Sequence, residues 1–190
     1  YEDADVYAFV KNNGGKVAVY KENLYKPMPG YRFIASNTDR SRYYVGELNG
    51  KSSKQAYMDA LHISESNIIN QTFHNPLGKM NGQDICIISL KEVSGNGLCC
   101  YRQVNDSDVL VLLEEQDYNE ILDETLQRIR RDFNHISGVF SINCVFRYLL
   151  FSQEHHMEDY LKTMSTLGDH AGLIGFGEHY NQQFVNQTMT

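Results

Sequence analysis

The stretch SGVFSINCVFRYLLFSQEHHMEDYLKTMSTLGDHAGLIGFGEHY, residues 137–180, decides the fold. Its first ten residues, SGVFSINCVF, are apolar, β-branched and aromatic, the composition of a buried strand. Met157, Tyr160, Leu161, Met164 and Leu167 then recur at helical spacing, and Gly168 is placed to end that helix. GLIGFGEHY follows as a second strand. A strand, helix, strand succession of this length demands a crossover, normally right-handed, so the two strands are expected to lie parallel.

Outward from this unit the chain reads as antiparallel pairs. DVYAFVK and KVAVYKE flank NNGG, and YRFIASN and RYYVGEL flank TDRS, which predicts two hairpins. Ser52 with Gln55 has capping-box spacing before AYMDALHI and predicts a short helix with Ala56, Ala60 and Ile63 inward. Residues 64–82 are polar and broken by Pro76, Gly78 and Gly82, so they read as a loop with a helical turn. QDICIISLKEV, LCCYRQV and SDVLVLLEE predict an antiparallel meander. Asp117 and Glu120 cap a long helix carrying Ile121, Leu122, Leu126, Ile129 and Phe133. The expected class is α+β: a mixed, mostly antiparallel sheet, helices packed against it and one parallel β-α-β crossover.

Composition narrows the functions. The chain has 190 residues, 42% of them hydrophobic, enough for one domain with a core. A net charge of −7 and the lack of a basic stripe argue against nucleic acid or an anionic membrane as partner. No apolar run is long enough to span a bilayer, and YEDADVY lacks the features of a signal peptide. Cys86, Cys99, Cys100 and Cys144 form no CxxC pair, so free thiols in a reducing, cytoplasmic compartment are expected.

Four features bear on chemistry. In the strand GLIGFGEHY the period of two puts Ile174, Phe176 and Glu178 on one face and Leu173, Gly175 and Gly177 on the other, where the glycines thin the face either for close packing or as the floor of a ligand site. Arg147 is expected at the C-terminal end of the first strand, next to Glu178 at the same edge of the sheet, where ligand crevices form. There Arg147 can grip a carboxylate through its planar fork of donors, and Glu178 can hold an amino group or orient Arg147; a plain structural ion pair is the competing reading. Cys144 is either a small buried hydrophobe or a nucleophile served by His170 or His179. His155 and His156 are adjacent, not at the i, i+4 spacing of a zinc pair, and no GxSxG, P-loop or dinucleotide fingerprint is present, so neither metal nor cofactor is expected.

The ordered segments NPLG (75–78), VLVLLEE (109–115) before a long helix, INCVFR (142–147), GLIGFGEHY (172–180) and FVNQTMT (184–190) together resemble the C-terminal half of FIST domains. Cys144 and Arg147 match that family's Cys-x-x-Arg segment, Gly175, Gly177 and Glu178 its Gly-rich Gly-Glu segment, and Asn186 and Thr188 its closing strand. The resemblance implies a bacterial-type sensory module for signal transduction. It would bind a small ligand, such as an amino acid or related metabolite, through Arg147, Glu178, Cys144, Gly175, Gly177 and Asn186. It would then signal to a histidine kinase, cyclic-dinucleotide or chemoreceptor output domain. It also implies that residues 1–190 are the C-terminal part of a longer sensory domain. The alternatives are an enzyme with a Cys144 nucleophile acting on an acyl or amide substrate, and a protein-interaction module docking through a sheet edge or the IINQTF loop.

Overall fold

The computed structural model describes residues 11–82, 84–180, 183–185 and 187–190. Its strands are β1 (Glu22–Asn23), β2 (Tyr25–Asp39), β3 (Tyr44–Leu48), β4 (Lys51–Ser52), β5 (Leu77–Asn81), β6 (Asp84–Ile88), β7 (Leu90–Ser94), β8 (Gly97–Cys100), β9 (Val109–Glu115), β10 (Val139–Cys144), β11 (His170–Gly175), β12 (Glu178–Tyr180), β13 (Gln183–Val185) and β14 (Thr188–Met189). The helices are α1 (Ser53–Leu61), α2 (Ile68–Gln71), α3 (Tyr118–Asp132), α4 (Val145–Gln153) and α5 (Met157–Met164).

An eight-stranded antiparallel sheet runs in the order β6-β5-β9-β2-β3-β8-β7, with β4 beside β3. β9 explains its place in the middle. Leu110 and Leu112 enter one core with α1 residues Ala56, Tyr57 and Ala60. Val111 and Leu113 enter a second core with α3 residues Leu122, Leu126 and Ile129. Alternating side chains cross to opposite faces, so a strand covered on both sides must be apolar throughout, as VLVLL is.

The second core carries the smaller sheet, β1-β14-β10-β11. β10 and β11 are parallel, in register from Val139 opposite His170 to Cys144 opposite Gly175. The expected crossover is therefore present, and the class is α+β with mostly antiparallel pairing.

The structure corrects several local expectations. β10 stops at Cys144 and turns directly into α4, so Arg147 lies in the first turn of a helix, not at a strand end. GLIGFGEHY is not one strand: β11 ends at Gly175, Gly177 takes a φ of +116°, and Glu178 opens the separate β12-β13 hairpin. Glu178 therefore does not share a strand face with Ile174 and Phe176; Phe176 is 92% exposed while Glu178 is 3% exposed. The expected three-stranded meander after residue 83 is four strands: QDICIISLKEV divides into β6 and β7, and β7 pairs antiparallel with β8, but β8 goes on to β3 while β9 lies between β5 and β2. β5 occupies part of the expected loop. Of the first hairpin, residues 5–10 lie outside the described residues, and Lys16–Lys21 form no strand, with Val17 and Val19 well exposed. The second hairpin, β2-β3, forms as expected.

Candidate ligand site

Parallel strands end at the same edge, and both chain segments leaving this edge turn inward. α4 follows Cys144 without a break, which places Arg147, Leu150 and Phe151 on its buried face at the i, i+3, i+4 spacing. After β11, a turn delivers Glu178. Its glycines are explained by that turn: Gly177 needs the left-handed backbone, and a Cβ on Gly175 would meet the Gly177 carbonyl oxygen at 3.3 Å. β14 and β1 return antiparallel along the same small sheet and bring Gln187, Thr188 and Glu22 to the same place.

The result is a buried polar cluster. Arg147 is 1% exposed and its Nη2 donates to Glu22 Oε1 in an ion pair whose partners are both buried. The carboxylate paired with Arg147 is thus Glu22, not Glu178. The guanidinium also lies 4.7 Å from the centroid of the Phe151 ring and 5.6 Å from that of Tyr160. A cation in the first turn of a helix opposes the helix dipole, so Glu22 supplies compensation that α4 itself cannot.

Glu178 accepts a hydrogen bond from Thr188 Oγ1 at 3.0 Å. Burial pushes its carboxyl up to about 7, partly opposed by the Thr188 hydroxyl, the neighbouring Cys144 thiol and the positive charge of Arg147. Cys144 is 1% exposed. Burial, joined by the Glu178 charge, raises its thiol above the usual range, although the backbone N–H groups of Gln187 and Phe146 pull the other way. This is the setting of a protonated thiol, not of a ready nucleophile. His170 is engaged elsewhere, with its Nε2 2.8 Å from Ser141 Oγ.

Five buried polar atoms of this cluster have no hydrogen-bond partner among the described residues: Arg147 Nε and Nη1, Glu22 Oε2, Glu178 Oε1 and Gln187 Oε1. Buried polar groups are normally satisfied, so five such atoms in one cluster single it out as the candidate ligand site. Gln187 adds a left-handed backbone, φ +53°, uncommon for a non-glycine residue, while its Nε2 donates to Thr72 O at 3.2 Å.

Of the six residues expected to bind a ligand, Arg147, Glu178 and Cys144 converge, Gly175 and Gly177 build the turn beside them, and Asn186 lies outside the described residues. Glu22, Gln187 and Thr188 complete the cluster. Thr188 stood only in the resemblance. Glu22 had no local signal, since KENLY reads as a solvated acid. Among the described residues no group of three or more His, Cys, Asp or Glu side chains is arranged to hold a metal, and no helix is long and apolar enough to cross a membrane.

No curated protein and no solved structure matches the chain. The model of the FIST C domain matches residues 54–181, more than half of the 190, and spans Cys144, Arg147 and Glu178. With that match over more than half of its length, the chain belongs to the FIST C domain family, a family of signal-transduction sensory domains.

Proposed function

We propose that the domain is an intracellular sensor that binds a small zwitterionic metabolite, an α-amino acid or close relative, in the cluster around Arg147 and Glu178. Binding would be relayed to a signalling output domain of the histidine kinase, cyclic-dinucleotide or chemoreceptor type. The observation that carries this reading is the set of five buried atoms without a partner among the described residues, two of them donors on Arg147 and three acceptors. Arg147 and Glu22 cancel each other's charge, yet Arg147 Nε and Nη1 keep three N–H donors to offer a carboxylate. Glu178 is the surplus acid. Near neutral pH it is poised between its two states, and a ligand ammonium beside it would hold it ionised.

The role is binding, not catalysis: a buried, protonated Cys144 offers no nucleophile. The four free cysteines accord with a reducing compartment. The test is calorimetric titration with a panel of L-amino acids and simple monocarboxylates, using wild type, Arg147→Ala and Glu178→Gln. At least one amino acid should bind wild type, bind about tenfold or more weakly to Glu178→Gln, and fail to bind Arg147→Ala. Amino-acid binding left unchanged in a folded Glu178→Gln protein, or no binding across the panel, overturns the reading.

A further inference from the structure

A second site lies on the other side of an aromatic wall from the Arg147 cluster. Phe151 and Tyr160 stack against the Arg147 guanidinium, and the same two side chains line a cleft of about 260 Å³ between α4, α5 and the β10-β11 pair. We propose that this cleft binds a small uncharged molecule with an aromatic or alicyclic body and a single hydroxyl or carbonyl.

Its shape comes from the parallel pair. Ser141 sits opposite Gly172, and Asn143 opposite Ile174. A Cβ on residue 172 would lie 2.6 Å from both the carbonyl oxygen and Oγ of Ser141, so only glycine lets β11 pass while Ser141 keeps its place in the floor. The volume sits just below the roughly 300–1000 Å³ of ordinary ligand pockets, which sets the occupant at about the size of a phenol or an indole.

Charge and polarity set the chemistry. Among the described residues no acid, lysine or arginine lines the cleft. Burial lowers the His170 ring below its usual range, so the imidazole is neutral at neutral pH. A charged occupant would shed its hydration with no countercharge to replace it. The polar groups are gathered in one network. Asn143 Nδ2 donates to the Tyr160 hydroxyl at 2.9 Å, the single proton of that hydroxyl can go to Ser141 Oγ at 3.2 Å or to Met189 Sδ at 3.0 Å, and Ser141 Oγ meets His170 Nε2 at 2.8 Å. A hydroxyl or carbonyl entering there finds both donors and acceptors. At the rim, Leu161, Leu173 and Ile174 stand 49%, 48% and 48% exposed, apolar area that an occupant would remove from water.

The test is an amide-detected NMR titration of the described chain with phenol, indole and benzyl alcohol, using toluene and benzoate as comparators. Phenol or indole should produce saturable shifts at Ser141, Gly172 and Leu173. Leu161→Trp, a substitution at a half-exposed rim position that fills the mouth, should weaken binding about tenfold or more with the rest of the spectrum intact. Tyr160→Phe should weaken phenol but leave toluene unchanged. The proposal fails if none of the three hydroxyl or indole probes gives saturable shifts, if Leu161→Trp leaves them unaltered, or if benzoate or toluene binds as well as phenol. Because no probe is an amino acid and no variant replaces Arg147 or Glu178, failure here leaves the amino-acid reading standing, and the converse holds.

Discussion

Replacing Glu178 by glutamine keeps the size of the side chain and its acceptor for Thr188, and removes only the ionisation. The folded-state carboxyl titrates at about 7, against an ordinary value of 4.5. Between those values the folded chain holds a proton that the unfolded chain has released, so stability must fall as pH rises through the window. The contribution is fully present below about 4.5 and lost above about 7. At 1.36 kcal/mol per unit, the difference sets a ceiling of roughly 3 kcal/mol. Urea denaturation of both proteins from about pH 5 to about pH 8 at fixed ionic strength measures it. His74, raised chiefly by its hydrogen bond to Glu115, and His170, lowered by burial, are common to both proteins and cancel in the difference. The two should agree within about 1 kcal/mol at the acid end, with the glutamine variant ahead by about 2–3 kcal/mol at the alkaline end. A difference that stays flat, or that favours wild type increasingly as pH rises, would refute the placement of Glu178 as a desolvated acid.

Three further outcomes are expected. Leu126→Ala, at a side chain 2% exposed in the core under α3, should cost roughly 2–5 kcal/mol in urea denaturation, and a loss below about 1 would mean that α3 is not packed as described. Thiol labelling of the native protein should reach the half-buried Cys86 well before Cys144, which should react only on the timescale of unfolding; rapid modification of Cys144 would restore the nucleophile reading. Glu22→Gln leaves Arg147 without its partner, a change that ordinarily costs about 3–5 kcal/mol for a buried pair. Here Glu178 should ionise in its place, so the loss should fall short of that range and the Glu178 titration should move to lower pH by carbon-detected NMR; an unmoved titration contradicts their proximity.

Periodic elements carried their own evidence. The Asp117 cap and the repeat through Ile129 define α3, and the opposed apolar strands around a helix define the parallel pair. What the chain conceals is where an apolar run changes period. CVFRYLLF has β-branched and aromatic content typical of a strand, yet Arg147, Leu150 and Phe151 stand at helical spacing, and that spacing was the available signal for α4. The break at Gly177 was similarly open to two readings, because a glycine within a strand pattern marks either a close approach or a turn. Pairing order is less legible still. Nothing local in Leu98–Cys100 says that β8 will lie beside β3 rather than β9, since register across distant strands is set by the whole sheet. Glu22 is the extreme case, joined to Arg147 across 125 residues.

The cluster is hard to explain as a device for stability. Two acids and an arginine are withdrawn from water, and a buried ion pair is often no better than well-packed apolar side chains of the same volume. Each polar atom left without a partner adds roughly 1–3 kcal/mol of desolvation that nothing among the described residues returns. Five such atoms make the cluster a local deficit, tolerated because the two cores on either side of the large sheet carry the fold. The deficit has a definite chemical complement: a group that accepts from Arg147 and donates to Glu178 or Gln187. Arg147 on α4, Glu178 on β12, Gln187 beside β14 and Glu22 on β1 reach the site from four separate segments. A ligand that satisfied them would therefore tie together the small sheet, the terminal hairpin and α4, and so convert local binding into a change in how firmly those segments are held.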